Sequence, residues 1–151
     1  MILNSIISLG AVFALYWIYH TRKLIPSIIS GGMIIGVLLV LLPRNVMITK
    51  GLTIYMVFVI SAFFYGLFIK GLTVWPRIII CTMSLSIVAY WLWRLNHLHG
   101  MEILLPVLSL IVGASALISK AKLKNEAGFL VILAADAIAI LVENLMRANL
   151  H

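Results

Sequence analysis

The sequence predicts an all-α integral membrane protein, a polytopic transmembrane bundle of about six antiparallel helices with short loops. Of its 151 residues, 64% are hydrophobic and 10% are charged, and the mean hydropathy is +1.21. Folded soluble domains carry about a quarter charged residues, so this chain has too little polar surface to cover a core in water. Six apolar stretches approach the roughly 17 to 25 residues that a helix needs to cross hydrocarbon, and none shows the alternation of a membrane β-strand.

The predicted spans are separated by short segments that contain helix-ending residues such as glycine, proline, asparagine and lysine. These spans are residues 2–19, 27–42, 52–69, 78–93, 103–118 and 127–146. Short connections make successive helices antiparallel neighbours. Because no linker or low-complexity tract interrupts the chain, we expect residues 1–151 to form a single integral membrane domain.

The first three spans have distinct ends. The first ends in Tyr16, Trp17 and Tyr19, and aromatic residues of this kind are typical of the membrane–water interface. It lacks a preceding basic region and a small-residue cleavage site, so we expect it to stay in the mature protein. Pro43 closes the second span, and the third begins after Gly51.

The last three spans follow a proline or a polar loop. Pro76 opens the fourth span, which ends in Tyr90, Trp91 and Trp93. We interpret these three residues as interfacial anchors rather than as a cofactor site. The fifth span follows the polar segment 96–100, and the sixth follows the segment 120–125.

The formal charge of +7 does not indicate nucleic acid as a partner, because the basic residues are dispersed between spans and serve better as membrane anchors. The first, third and fifth loops carry seven of them: Arg22, Lys23, Lys70, Arg77, Lys120, Lys122 and Lys124. The opposite side carries four: Arg44, Lys50, Arg94 and Arg147. The positive-inside tendency then places both termini on the outer side, in what we expect to be a cytoplasmic (inner) membrane.

The most informative residues are the four acids Glu102, Glu126, Asp136 and Glu143. Asp136 lies near the middle of the sixth span, where an ionised carboxylate costs at least about 2.5 kcal/mol. Glu143 follows it by seven residues, which places both carboxyl groups on one helix face about 10 Å apart along the axis. Arg147 is four residues further on and can pair with Glu143.

Two interpretations of Asp136 remain open at this stage. It is either a proton or cation carrier, with Glu143 as a relay toward the surface, or a structural group that bonds a hydroxyl, such as that of a serine, on a neighbouring helix. The candidate serines are Ser84, Ser86, Ser109 and Ser115.

Further polar residues are expected to share one membrane face, because antiparallel order brings the ends of spans four and six to the start of span five. They are Arg94, His97, His99, Glu102, Glu143, Arg147 and His151. Imidazole and carboxylate groups bind zinc, but His97 and His99 are two residues apart and point to different sides of a continued helix. We therefore favour a solvated rim of ion pairs and expect no metal or other cofactor.

Small residues predict where helices approach closely. Gly32 and Gly36 have small-xxx-small spacing in the second span, and Gly113 opens a run of small residues in the fifth. Such surfaces favour close helix packing. Packing within the chain is the simpler interpretation, and an interface in a homo-oligomer or with other membrane subunits is the alternative.

Three functions are compatible with these features. The first is an ion- or proton-coupled transport or translocation component that uses Asp136. The second is a non-catalytic subunit or assembly partner of a larger membrane complex. The third is a membrane enzyme acting on a lipid-like substrate, which is disfavoured because no nucleophile motif, metal motif or phosphate-binding glycine loop is present.

Overall fold

A computed structural model describes residues 2–21, 23–42, 45–69, 73–96, 103–118 and 123–148. These residues form six α-helices and no strand, which confirms the predicted all-α class. The helices are α1 (Ile2–His20), α2 (Leu24–Leu41), α3 (Asn45–Phe68), α4 (Val74–Leu95), α5 (Leu104–Ile118) and α6 (Ala127–Ala148). By length and composition, α2, α3, α4 and α6 can each cross a membrane, whereas α1 and α5 contribute shorter apolar segments.

Two helices begin earlier than predicted because a proline fits within their first turn. Pro26 is the third residue of α2, and Pro76 is the third residue of α4. The first backbone N–H groups of a helix have no acceptor within it, so a proline costs little there. Pro106 holds the same position in α5, and all three prolines are buried.

The start of α3 was also predicted too late. The helix begins at Asn45 and includes Gly51, which the sequence pattern assigned to a loop. A Cβ atom on Gly51 would lie 2.7 Å from the carbonyl oxygen of Gly36 on α2. The glycine is therefore a contact point between two helices rather than the end of one.

The six helices form a closed ring in which α6 has the most partners. Each helix contacts its neighbours in the chain, α1 packs against α6, and α6 also contacts α2 and α4. The side chains of Phe129, Leu133 and Ala137 on α6 are fully buried, as are Ile79 and Ile87 on α4. Large hydrophobic side chains on the outward faces remain exposed, as expected for a surface in contact with lipid.

All three glycines predicted to pack helices together contact another helix of the same chain. A Cβ atom on Gly32 would overlap the ring of Phe58, and one on Gly36 would lie 2.8 Å from the backbone nitrogen of Tyr55. One on Gly113 would meet Met83 at 3.2 Å. The close approach at Gly36 brings α3 against α2 at the level of Tyr55, which is a residue of the site described next.

Candidate functional site

Asp136 joins three helices through two hydrogen bonds. It lies near the middle of α6 and is 7% exposed. The hydroxyl group of Tyr55 on α3 donates to its Oδ2 atom at 2.9 Å, and Nε1 of Trp91 on α4 donates to the same atom at 3.3 Å. Two donors directed at one carboxylate oxygen stabilise negative charge at a depth where such charge is costly.

The hydroxyl group on a neighbouring helix that bonds Asp136 is that of Tyr55, so the serines named as candidates are wrong. Trp91 follows Ser84 by seven residues on α4, which is about 10 Å along the helix axis, so Ser84 lies at a different depth. The Oγ atoms of Ser84 and Ser109 have no hydrogen-bond partner among the described residues, and Ser115 donates to the backbone of its own helix. No hydrogen bond from Ser86 to Asp136 occurs in the described part of the chain either.

The aromatic end of α4 also differs from its prediction as an interfacial belt. Tyr90 is 3% exposed, and Trp91 faces the bundle interior where it bonds Asp136. By contrast, Tyr16 and Tyr19 on α1 are exposed, as interfacial anchors would be. Aromatic residues near a helix end can thus be interfacial anchors or can face the bundle interior. On α4, packing against α6 places Tyr90 and Trp91 in the second class.

A second polar group surrounds Glu143, closer to the end of α6. Arg94 on α4 makes a bidentate contact, with Nη1 to Oε2 at 3.1 Å and Nη2 to Oε1 at 2.8 Å. Arg147 reaches Oε1 of Glu143 at 2.6 Å from the next turn of α6. Arg94 also donates to the Tyr90 hydroxyl at 3.0 Å and lies 5.5 Å from the ring centre of Trp91.

A cavity of about 300 Å³ connects the two polar groups. Its polar lining consists of Tyr55, Trp91, Arg94, Asp136 and Glu143, and the rest of its lining is aliphatic, from α1, α2, α3 and α6. The lining residues lie near the start of α3 and toward the ends of α2, α4 and α6, which share one side of the bundle, called here the Glu143 side. A volume of this size is at the lower end of the range for small-molecule sites.

On the opposite side of Asp136, large side chains and close helix contacts fill the interior of the bundle. Phe129 and Leu133 on α6 are both 0% exposed and lie between Asp136 and the start of the helix. Gly128 approaches α2 so closely that a Cβ atom would lie 2.7 Å from the Ser30 hydroxyl. Asp136 therefore lies toward the inner end of the cavity, whose lining on α6 runs from Ile132, one turn before Asp136, to Glu143.

Glu126 is a second buried acid, and the sequence pattern assigned it no role. Its side chain is 1% exposed, with Lys23 Nζ at 3.8 Å from Oε1. The Tyr65 hydroxyl donates to the same oxygen at 3.0 Å, whereas Oε2 has no partner among the described residues. In the sequence, Glu126 occupies an ordinary loop position immediately before α6. Its burial becomes visible only in the folded chain, where it contacts Lys23 before α2 and Tyr65 on α3.

The remaining predicted rim residues are not all in the described part of the chain. His97, His99, Glu102 and His151 lie outside the described residues. Within the described residues, no group of three His, Cys, Asp or Glu side chains is arranged to hold a metal ion. The structure therefore brings together Arg94, Asp136, Glu143 and Arg147 from the predicted set and adds Tyr55 and Trp91.

Comparison with known proteins finds no matching family model, no similar curated protein and no similar solved structure. The chemistry of the site is therefore what bears on function. Its carboxyl group lies within the bundle, receives two hydrogen bonds and borders a space large enough for a small molecule.

Proposed function

We propose that this small membrane protein is a transport component in which the Asp136 carboxyl group binds and releases a proton or another cation. The observation that carries the proposal is the position of Asp136 in the lining of a cavity of about 300 Å³, toward its inner end, with Glu143 and Arg94 in the same lining. Ionisable groups within membrane spans are expensive, and they commonly mark pathways for ions or substrates.

The charges around the cavity support this role. In the described part of the chain, Glu143 has two arginine partners, whereas the contacts of Asp136 are the uncharged donors Tyr55 and Trp91. A carboxylate without an arginine or lysine partner can exchange a cation without first breaking a salt bridge. Asp136 is accordingly the exchangeable group, and Glu143 is part of a fixed ion pair near the entrance.

The proposal is tested with the full chain in sealed proteoliposomes that contain a pH-sensitive dye. Proton movement is followed under an imposed membrane potential and under opposing gradients of sodium, potassium and small organic ammonium ions. We expect at least one gradient to drive proton movement above that of empty liposomes, and Asp136→Asn to return it to the empty-liposome rate. Glu126→Gln is the matched control, because it neutralises a buried acid immediately before α6 that does not line the cavity.

The proposal fails if no gradient drives protein-dependent proton movement, or if Asp136→Asn moves protons as fast as the wild-type chain. Circular dichroism and gel filtration of each variant establish that it is folded before its flux is compared. A loss of flux in Glu126→Gln equal to that in Asp136→Asn also contradicts a specific role for Asp136.

The second candidate function is a non-catalytic membrane subunit, and the bridge from Asp136 to α3 and α4 favours it. In that case the carboxylate holds three helices together, and the wild-type chain moves no ions. Purification in mild detergent tests this candidate, since a subunit should co-purify with other chains or as a homo-oligomer. Recovery of a monomer alone would count against it.

A further inference from the structure

The cavity matches a ligand with one positive charge. The charged side chains of its lining are the carboxylates Asp136 and Glu143 and the guanidinium group of Arg94. Glu143 is paired with Arg94 and also with Arg147, whose side chain is 62% exposed so that water and salt screen its charge. Asp136 is therefore the carboxylate of the lining that has no cationic partner among the described residues. A single cationic group placed against Asp136 would balance it.

The walls of the cavity do not suit a divalent metal ion. They are formed largely by aliphatic side chains, among them Val40, Leu52 and Ile140. Divalent calcium and magnesium ions need about six or more oxygen ligands, which this lining does not supply. An apolar body attached to the cation would instead fill the volume and bury apolar surface.

Two aromatic residues border the same carboxylate. Tyr55 and Trp91 both line the cavity and both donate to Asp136. The Trp91 ring already has one cation beside it, the guanidinium group of Arg94 at 5.5 Å from its centre, so a ligand cation would have to use the other face of this ring or the Tyr55 ring. Aromatic rings attract substituted ammonium groups through cation–π interactions.

We infer that the cavity binds a monovalent organic cation with an apolar body, such as a substituted ammonium ion, in exchange for the proton on Asp136. This inference rests on the proposed function and specifies its substrate class. In the exchange, the O–H bond of the protonated carboxyl group breaks and the proton passes to water on the Glu143 side. The electron pair stays on the carboxylate, which then faces the ammonium group, and no oxidant or reductant takes part.

The other ionisable groups near Asp136 are already committed to partners. Tyr55 approaches from α3, Tyr90 and Arg94 from α4, and Glu143 from α6 itself, while α1 and α2 contribute aliphatic side chains to the cavity. Tyr55 donates to Asp136, and Tyr90, Arg94 and Glu143 form one hydrogen-bonded group. The proton that a bound cation displaces therefore comes from Asp136.

The test is calorimetric titration of the full chain in lipid nanodiscs with benzyltrimethylammonium. Each titration is repeated in two buffers of different ionisation enthalpy, so that the heats report the protons released per ligand bound. We expect saturable binding that empty nanodiscs do not show. Tetramethylammonium, which has the charge without the apolar body, is expected to bind about tenfold or more weakly, and benzylsulfonate, which reverses the charge, is expected not to bind.

The pH dependence follows from competition for one carboxyl group. At low pH, Asp136 is protonated, so the apparent affinity is weak and proton release approaches one per ligand. As the pH rises and Asp136 ionises, the affinity increases to a plateau and proton release falls to zero. Affinity and proton release that do not vary with pH would overturn the exchange.

Variants of cavity residues test whether the ligand binds beside Asp136. Asp136→Asn is expected to abolish ligand-linked proton release and to weaken binding about tenfold or more, whereas Glu126→Gln is expected to retain both. Val40→Phe fills the cavity without changing any charge and is expected to weaken benzyltrimethylammonium binding to a similar degree. This second variant keeps the inference testable if Asp136→Asn does not fold, and unchanged binding in Val40→Phe would overturn it.

The two proposals fail in different ways. If inorganic ion gradients drive Asp136-dependent proton movement but benzyltrimethylammonium does not bind, the proposed carrier function stands and the proposed substrate class is wrong. If benzyltrimethylammonium binds with proton release but no gradient drives flux, the binding site stands and the carrier is wrong.

Discussion

Tyr55→Phe removes one hydrogen bond of Asp136 and leaves the shape of the side chain almost unchanged. The Tyr55 hydroxyl is 2.9 Å from Oδ2 of Asp136 and belongs to a side chain that is 4% exposed. Hydrogen bonds to charged groups contribute about 1.5 to 3 kcal/mol in soluble proteins, whereas interhelical bonds in membranes average about 0.6 and reach about 1.7 kcal/mol. Because Trp91 remains as a second donor at 3.3 Å, we expect the free energy of unfolding to fall by about 1 to 2 kcal/mol.

A double-mutant cycle with Asp136→Leu separates this bond from other effects of the tyrosine. Leucine has no acceptor, so Tyr55→Phe should cost much less in the Asp136→Leu background than in the wild-type chain. We expect a coupling energy of about 1 kcal/mol, which is within the range for residues in direct contact.

The assay is reversible unfolding in mixed micelles by increasing the fraction of sodium dodecyl sulfate, followed by tryptophan fluorescence. Tyr19→Phe is the matched control, since Tyr19 is 87% exposed on α1 and surface changes usually stay within about 0.5 kcal/mol. A coupling energy below about 0.3 kcal/mol, or an equal loss in Tyr19→Phe, would refute the bond as a source of stability.

Two further predictions use the same unfolding assay. Gly36→Ala should lower the free energy of unfolding by about 1 to 3 kcal/mol, because its Cβ atom would lie 2.8 Å from the backbone nitrogen of Tyr55. Gly31→Ala, where nothing lies within 4 Å, should be neutral or stabilise by up to about 1 kcal/mol, and equal effects of the two variants would contradict the packing at Gly36. Arg94→Gln should cost about 1 kcal/mol because it removes the bidentate pair with half-buried Glu143. Raising the salt concentration should reduce the difference in free energy of unfolding between Arg94→Gln and the wild-type chain. A difference that is independent of salt would contradict an electrostatic origin.

The helical class was predictable from sequence because hydrocarbon imposes a simple length and composition rule on each span. Helix starts were less predictable, since the same residues end some helices and lie inside others. Gly51 is an example, because its contact with Gly36 depends on a partner helix that local sequence does not specify. Pro76 is another, because a proline is tolerated in a first turn as well as before it.

The site was predictable only in part. Asp136 stands out because a charge within an apolar stretch is rare, and the spacing of Glu143 from Arg147 follows from helix geometry alone. Tyr55 and Trp91 were missed because their role depends on how α3 and α4 pack against α6. The sequence assigned Trp91 to the interface by its nearness to a helix end, which its hydrogen bond to Asp136 contradicts.

The two halves of α6 are held in place by different kinds of contact, and this difference has consequences for a carrier. Toward Glu126, the helix packs through close approach of small residues, as at Gly128 and Ser30, with Phe129 and Leu133 fully buried. Toward Glu143, polar side-chain contacts surround the cavity. The Glu126 half also has a polar group, in which Glu126 contacts Tyr65 and Lys23, but that group does not line the cavity. In the proposed carrier, a change of charge at Asp136 therefore acts first on the cavity half, and release of a ligand on the other side would require the close packing of the Glu126 half to open.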